Sequence, residues 1–220
     1  MKLTPYILIA AALWVAGGLF ALWAYAQLPP GAVIATHFGP DGRPDGFTPK
    51  GQGLGIGWGV HAATLAVLAA IPYLSRRPEA MAKAAPYYGR VMVALSAFLL
   101  LTEMSVAMRA LGWAVDMTRW AFVFLGLLLA LIGDVIGKVR RNEFFGVRTP
   151  WTMMDERVWD KTQRFTGRLM VAGGLILAVA VLACPTPVVR LPLLLACTLI
   201  PAGAGVIYSW AIARAPRAEA

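Results

Sequence analysis

The sequence predicts an all-α integral membrane protein: six transmembrane helices, a small external loop domain and an inner amphipathic interfacial helix. Three observations predict it. Of 220 residues, 59% are apolar and only 14% charged, against roughly 25% charged in an ordinary soluble domain. Length is therefore read as a number of spans. The apolar residues fall in runs of about 20, each enough to cross roughly 30 Å of hydrocarbon at about 1.5 Å per helical residue. The basic residues, which give a net charge of +9, gather in alternate connections between runs. That pattern orients a membrane protein and argues against direct nucleic-acid binding.

Residues 1–26 form the first span. Ala24-Tyr25-Ala26 is similar to a signal-peptidase site, but the apolar run exceeds the roughly 7 to 15 residues of a signal peptide, so an uncleaved helix with its N-terminus inside is expected. Residues 27–53 leave the membrane as an external loop. Val33 to Phe38 is short and carries β-branched residues, and Gly39-Pro40-Asp41-Gly42 and Pro44-Asp45-Gly46 are turn-forming, which predicts a small hairpin. His37, Asp41 and Asp45 are candidates for a metal or ligand site; their spacing fits no metal signature, and turn-stabilising aspartates beside a structural histidine is the reading preferred. No cofactor is expected.

The second span is residues 54–74, with His61 in its outer third. A basic connection, 75–90, leads to the third, 91–113, which contains Glu103 and Arg109. After a five-residue turn comes the fourth, 119–137, with Asp134 near its inner end. Residues 138–168 are the longest polar stretch between two apolar ones, and 169–184 and 191–213 complete the six. Cys184 and Cys197 lie at the end of one apolar run and inside the next, and read as small buried apolar side chains.

Counting fixes the orientation. Lys2, four residues in 75–90, eight in 138–168 and the pair Arg214 and Arg217 place fifteen basic residues on one side, against four on the other, Arg43, Lys50, Arg119 and Arg190. Both termini are therefore expected in the cytoplasm of a bacterial inner membrane. Trp23, Tyr25, Tyr73, Trp113, Trp120 and Trp210 lie near span ends, as an aromatic belt requires.

In the long polar stretch, Thr149-Pro150 interrupts any preceding helix and Thr152 is a plausible N-cap. Trp151, Met154, Val158, Thr162, Phe165 and Leu169 then recur at three or four residues, with Arg157, Asp160, Lys161, Arg164 and Arg168 largely on the rest. Asp160 to Arg164 is an i,i+4 pair. This predicts an amphipathic helix at the inner interface leading into the fifth span, either a lipid anchor or a partner-binding surface.

Here the residues carry a resemblance. Asn142-Glu143-Phe144-Phe145-Gly146-Val147-Arg148-Thr149-Pro150-Trp151-Thr152, followed by Val158-Trp159, Lys161-Thr162, Arg164 and Gly167, is similar to the hallmark of the SdpI family, membrane immunity proteins against a secreted toxin peptide. Leu28-Pro29, Thr36-His37-Phe38-Gly39, Gly42 and Pro44-Asp45-Gly46 resemble the short extracytoplasmic domain that often precedes it. The resemblance implies a non-enzymatic protein that meets a toxin peptide outside and, in some members, holds a transcriptional regulator at the membrane inside. Its matching residues here, candidates for partner or ligand binding, are Asn142, Phe145, Gly146, Arg148, Thr149, Pro150, Trp151, Thr152, Trp159, Lys161, Thr162 and Arg164. Two positions depart from the pattern: Asp134 stands where Asn is expected, and Arg141 where Pro is usual.

Ionisable groups inside spans need a partner or a purpose. Asp134 has Lys138 one turn away. Glu103 has no partner at adjacent helical spacing; it is a candidate for ligand or proton binding, or for an interhelical hydrogen bond. The alternative function is a transporter or membrane-embedded enzyme with Glu103, Arg109, Asp134 and His61 lining a polar cavity, although no hydrolase, zinc, redox or phosphate-loop signature occurs. Gly17-Gly18, Gly53-x-Gly55-x-Gly57 and Gly173-Gly174 read as sites of close helix packing. Expected partners are membrane lipids, a toxin peptide outside and a cytoplasmic regulator.

Overall fold

Inside a bilayer an apolar chain satisfies its backbone within a helix, and six runs do so: α1 (Thr4–Gln27), α2 (Lys50–Ala70), α3 (Pro78–Ala110), α4 (Met117–Ile136), α6 (Glu156–Ala183) and α7 (Arg190–Arg214), with a five-residue α5 (Pro150–Met154) before α6. All six are long and apolar enough to cross a membrane. The computed structural model describes residues 3–39, 41–74, 78–142, 145–184 and 186–215, apart from the side chains of Pro78, Ala80 and Lys83. Lys2, Pro40, Arg76, Arg77, Glu143, Phe144 and Arg217 of the sequence reading lie outside the described residues. Leu8, Leu22, Ile176, Leu199 and Ile207 point outward, as lipid-facing side chains do.

The helices gather as two packed groups joined side by side. Ala10, Tyr88 and Met92 lie in the core of the α1–α3 group. Val123, Leu177 and Val181 lie in that of α4, α6 and α7. Met81 and Ala84 of α3 meet Val135 and Val139 at the junction.

Glycine sets the closest approach, between α4 and α6. A side chain at Gly133 would meet the Gly167 carbonyl at 2.7 Å, and one at Gly126 the Gly174 carbonyl at 2.7 Å. Each glycine pair is one heptad apart, so both contacts fall on the same faces. The expected glycine sites divide: Gly17, Gly18, Gly53, Gly57 and Gly173 press on neighbours, whereas Gly55 has nothing within 4 Å.

The expected hairpin forms from β1 (Val33–Phe38) and β2 (Pro44–Pro49), antiparallel with Val33 opposite Pro49 and Ala35 opposite Phe47. Ile34, buried, packs where a side chain at Gly53 would stand, seating the hairpin on α2.

Helix bounds differ from the sequence expectation at several places, α2 among them, which starts at Lys50 and not at 54. The connection 75–90 is largely helical, because the Ala-rich start of α3 has high helix propensity; α3 ends at Ala110, two residues before Gly112 at φ 86°. The amphipathic stretch and the fifth span are one continuous helix, α6, with no break near residue 168.

Candidate functional site

The described residues of 137–155 form a tight loop between α4 and α6, the inner loop of the sequence reading, at the end of the bundle that holds the start of α1 and the end of α7, and residues 156–168 are the first turns of α6. Its capping differs from the expectation. Thr149 is the N-cap of α5 and Thr152 its third residue, each side chain bonding the other's backbone N–H, with Pro150 at the first helical position where its missing N–H costs nothing. Asp155 breaks the helix with extended dihedrals, and its Oδ1 accepts the N–H groups of Arg157 at 2.8 Å and Val158 at 3.4 Å to start α6. Trp151 and Met154 therefore stand on a separate short helix, out of phase with Val158, Thr162 and Phe165.

Buried polar groups organise the loop. Asn142 donates to the Arg140 carbonyl at 2.9 Å and accepts the Phe145 N–H at 2.7 Å. Gly146 takes φ 101°, a conformation that L side chains rarely adopt. Next to it Gln163 accepts the Val147 N–H at 2.9 Å and donates to the Val147 carbonyl at 3.0 Å. The Thr152 hydroxyl lies 2.9 Å from the Val147 carbonyl and 3.0 Å from that of Thr149. Thr149 Oγ1 meets Ser209 Oγ of α7 at 3.1 Å. The indole N–H of Trp159 donates to the Val139 carbonyl at 2.9 Å.

The candidate residues thus separate by exposure. Asn142, Thr149, Thr152, Trp159 and Thr162 are buried, and Asn142, Thr149, Thr152 and Trp159 hold the loop's own backbone. Phe145 reaches the other group, its ring edge-on to Tyr88 of α3 at 5.3 Å. Arg148, Lys161 and Arg164 are exposed, as is Pro150, while Trp151 is half-buried. Met154 is 82% exposed. The expected Asp160–Arg164 pair does not close to ion-pair distance among the described residues, whereas Lys138 Nζ and Asp134 Oδ1 lie 2.5 Å apart. Sequence reasoning missed Gln163. A Gln among charged residues carries no periodic signal, although its place one turn before Gly167 and one turn after Trp159 puts it on the buried side.

The intramembrane candidates do not converge on one cavity. Arg109 donates to the Val115 carbonyl at 3.1 Å and lies over the Phe38 ring; Asp134 sits with Lys138. Only His61 meets Glu103 among the described residues, Nδ1 to Oε1 at 3.1 Å. Ser96 Oγ lies 2.6 Å from His61 Nε2 and donates to the Ala10 carbonyl at 3.1 Å. With the Ser96 proton on that carbonyl, Nε2 is the donor to Ser96, and His61 and Glu103 share one proton at Nδ1···Oε1, which leaves the pair neutral overall. Glu103 Oε2 is buried without a hydrogen-bond partner, against a void of about 30 Å³ lined by Gly17, Gly57 and Trp58. That void is large enough for about one small molecule such as water and too small for a passage.

On the opposite end, Arg190, only 3% exposed in its side chain, grips Asp116 with two hydrogen bonds, 3.1 Å to Oδ1 and 2.8 Å to Oδ2, and reaches the Thr118 hydroxyl at 2.5 Å. Burial disfavours the Asp116 anion, but hydrogen bonds from Arg190, the Arg119 N–H and the Thr118 hydroxyl, with the Arg190 charge, outweigh it and hold the carboxyl down at about 2. In the hairpin, His37 Nδ1 and Asp45 Oδ1 lie 2.5 Å apart and Asp41 accepts the Arg43 N–H at 3.1 Å. Among the described residues no cluster of three or more metal-type side chains forms.

Residues 138–209 match the SdpI/YfhL protein family. Over 81 residues the chain is 32% identical to the immunity protein SdpI of Bacillus subtilis, a match covering 37% of this chain and 39% of that protein. No solved structure matches. The resemblance carried by the hallmark is therefore shown, and the matched residues run from the inner loop through α6 into α7. With six membrane-crossing helices, the chain is a multi-pass membrane protein related to an immunity protein.

Proposed function

Proceeding from the SdpI/YfhL segment at 138–209, we propose that this chain is a non-enzymatic immunity or sensor protein of a bacterial cytoplasmic membrane that protects its cell from a membrane-active peptide, with both termini inside. One observation supports the reading above the rest: among the described residues of the hallmark Asn142, Thr149, Thr152 and Trp159 bond within the loop, while Arg148, Lys161, Arg164 and the 82% exposed Met154 lie at the surface. Such a surface is built to hold a partner or a membrane face. In this reading the hairpin and the outer bundle meet the peptide, and the exposed residues around α5 meet a cytoplasmic regulator.

The test is survival of a sensitive bacterium with and without the gene, challenged with secreted membrane-active peptides and, separately, with a generic bilayer-disrupting detergent. Protection against a peptide and none against detergent is expected. Equal survival of both strains under every peptide overturns the proposal.

A further inference from the structure

Two cavities meet at the inner-loop end of the α4–α6 seam, sharing Gly137, Lys138 and Arg164 as common walls. The first, of about 670 Å³, is polar and opens beside Arg140, Arg157, Glu156 and Asp160. The second, of about 520 Å³, is mostly apolar and runs along the spans past Arg168, Val171, Ala172 and Leu175. Together they make a charged mouth continued by an open apolar groove.

The charge balance favours an anion. Asp134 is occupied with Lys138 at 2.5 Å, which leaves Arg140, Arg157, Arg164 and Arg168 facing Glu156 and Asp160. Among the described residues Arg164 and Arg168 have neither an ion-pair nor a hydrogen-bond partner. Arg157 reaches the Ile212 carbonyl through Nη2, at 3.4 Å, while its Nε is buried without an acceptor. Two guanidinium groups without partners among the described residues, Arg164 and Arg168, one helical turn apart and lining the second cavity together, suit a polyoxygen anion, which the guanidinium fork binds. The apolar continuation requires that this anion carry a chain.

We propose that the α4–α6 seam is a binding site for one anionic phospholipid of the leaflet on the side of the termini, with its phosphate held by Arg164 and Arg168 and an acyl chain along Val171, Ala172 and Leu175. Basic pockets between spans recognise anionic head groups in this way. A zwitterionic lipid brings its own cation to the arginines and fits less well. The inference does not depend on the immunity reading, since it rests on the seam alone.

The test uses the full-length purified protein in mild detergent and measures binding of dioctanoyl phosphatidylglycerol, dioctanoyl phosphatidylcholine and glycerol phosphate by native mass spectrometry. Phosphatidylglycerol is expected to bind tightest. Replacing Arg164 and Arg168 together by Gln should weaken it about 30-fold, from about 1 kcal/mol per basic residue near the head group. Ala172→Trp fills the chain groove on an exposed face; it should weaken phosphatidylglycerol and leave glycerol phosphate unchanged. Equal binding of the two lipids, glycerol phosphate binding as tightly as phosphatidylglycerol, or either variant binding phosphatidylglycerol like the parent each overturns the proposal. Unchanged thermal unfolding of both variants confirms that any loss belongs to the site.

Discussion

The carboxamide of Gln163 holds the peptide unit of Val147 from both sides, accepting its N–H at 2.9 Å and donating to its carbonyl at 3.0 Å. The two residues are sixteen apart in sequence, and this double bond ties the inner loop to α6 much as one rung ties two strands. Gln163→Leu keeps the volume but strands the half-buried Val147 N–H and leaves its carbonyl to the Thr152 hydroxyl alone, a loss of about 1 to 3 kcal/mol. Thermal unfolding in detergent should fall accordingly, and limited proteolysis should cut first near Gly146.

The α4–α6 seam predicts a sharp contrast among glycines. Gly167→Val places atoms against the Gly133 backbone, where the Gly133 carbonyl stands, and should prevent native packing or cost at least about 1 to 3 kcal/mol by overpacking. Gly55→Ala, with nothing within 4 Å, should unfold within about 0.5 kcal/mol of the parent. Equal effects of the two would show that close approach is not what these glycines provide.

Asp116 and Arg190 set an acid limit. The carboxyl, held near 2 in the folded protein against an ordinary 3.8, contributes stability that is complete above about pH 4 and disappears as pH falls towards about 2. Asp116→Asn should lower stability at neutral pH, because it leaves the Arg190 guanidinium buried with its charge uncompensated, and should flatten the decline between about pH 4 and 2. Unfolding midpoints recorded across that range check both halves.

Inside the bundle, His61 and Glu103 form a unit. Removing His61 leaves both carboxyl oxygens without partners, so His61→Leu should cost more than the pair's joint replacement by apolar residues of similar size. A double-mutant cycle with Glu103→Met should return a coupling of about 1 to 3 kcal/mol. Strict additivity would make the 3.1 Å contact energetically idle.

For function, Arg148→Ala and Trp151→Ala should each abolish protection in the survival assay while membrane insertion persists and thermal stability stays within about 1 kcal/mol. Full protection by both variants removes these residues from the proposed site.

Much of this architecture was legible in the sequence because spans and hairpin announce themselves locally. Long apolar runs, the Asp-Gly turns and the Asp134–Lys138 spacing each carry their own signal. What the sequence concealed depends on who meets whom across space. Nothing local to Gln163 points to Val147, and nothing near Arg190 names Asp116, 74 residues away. Periodicity also misled at one place: Trp151 and Met154 fit the apolar stripe of the following helix, but Asp155, as an N-cap, leaves helical dihedrals between them. The Asp160–Arg164 spacing failed differently, since a half-buried aspartate and a long, exposed arginine beside water gain too little from pairing to be held together.

The inner loop is pinned at both ends by helices whose interlocked glycines admit only one lengthwise setting, since a slip of one residue would drive side chains into backbone. Its described residues from Val147 to Thr152 are further fixed by Gln163 and Ser209. A visitor docking against that part of the loop would find a mould already cast, and would spend little of its binding energy on disciplining a loose chain.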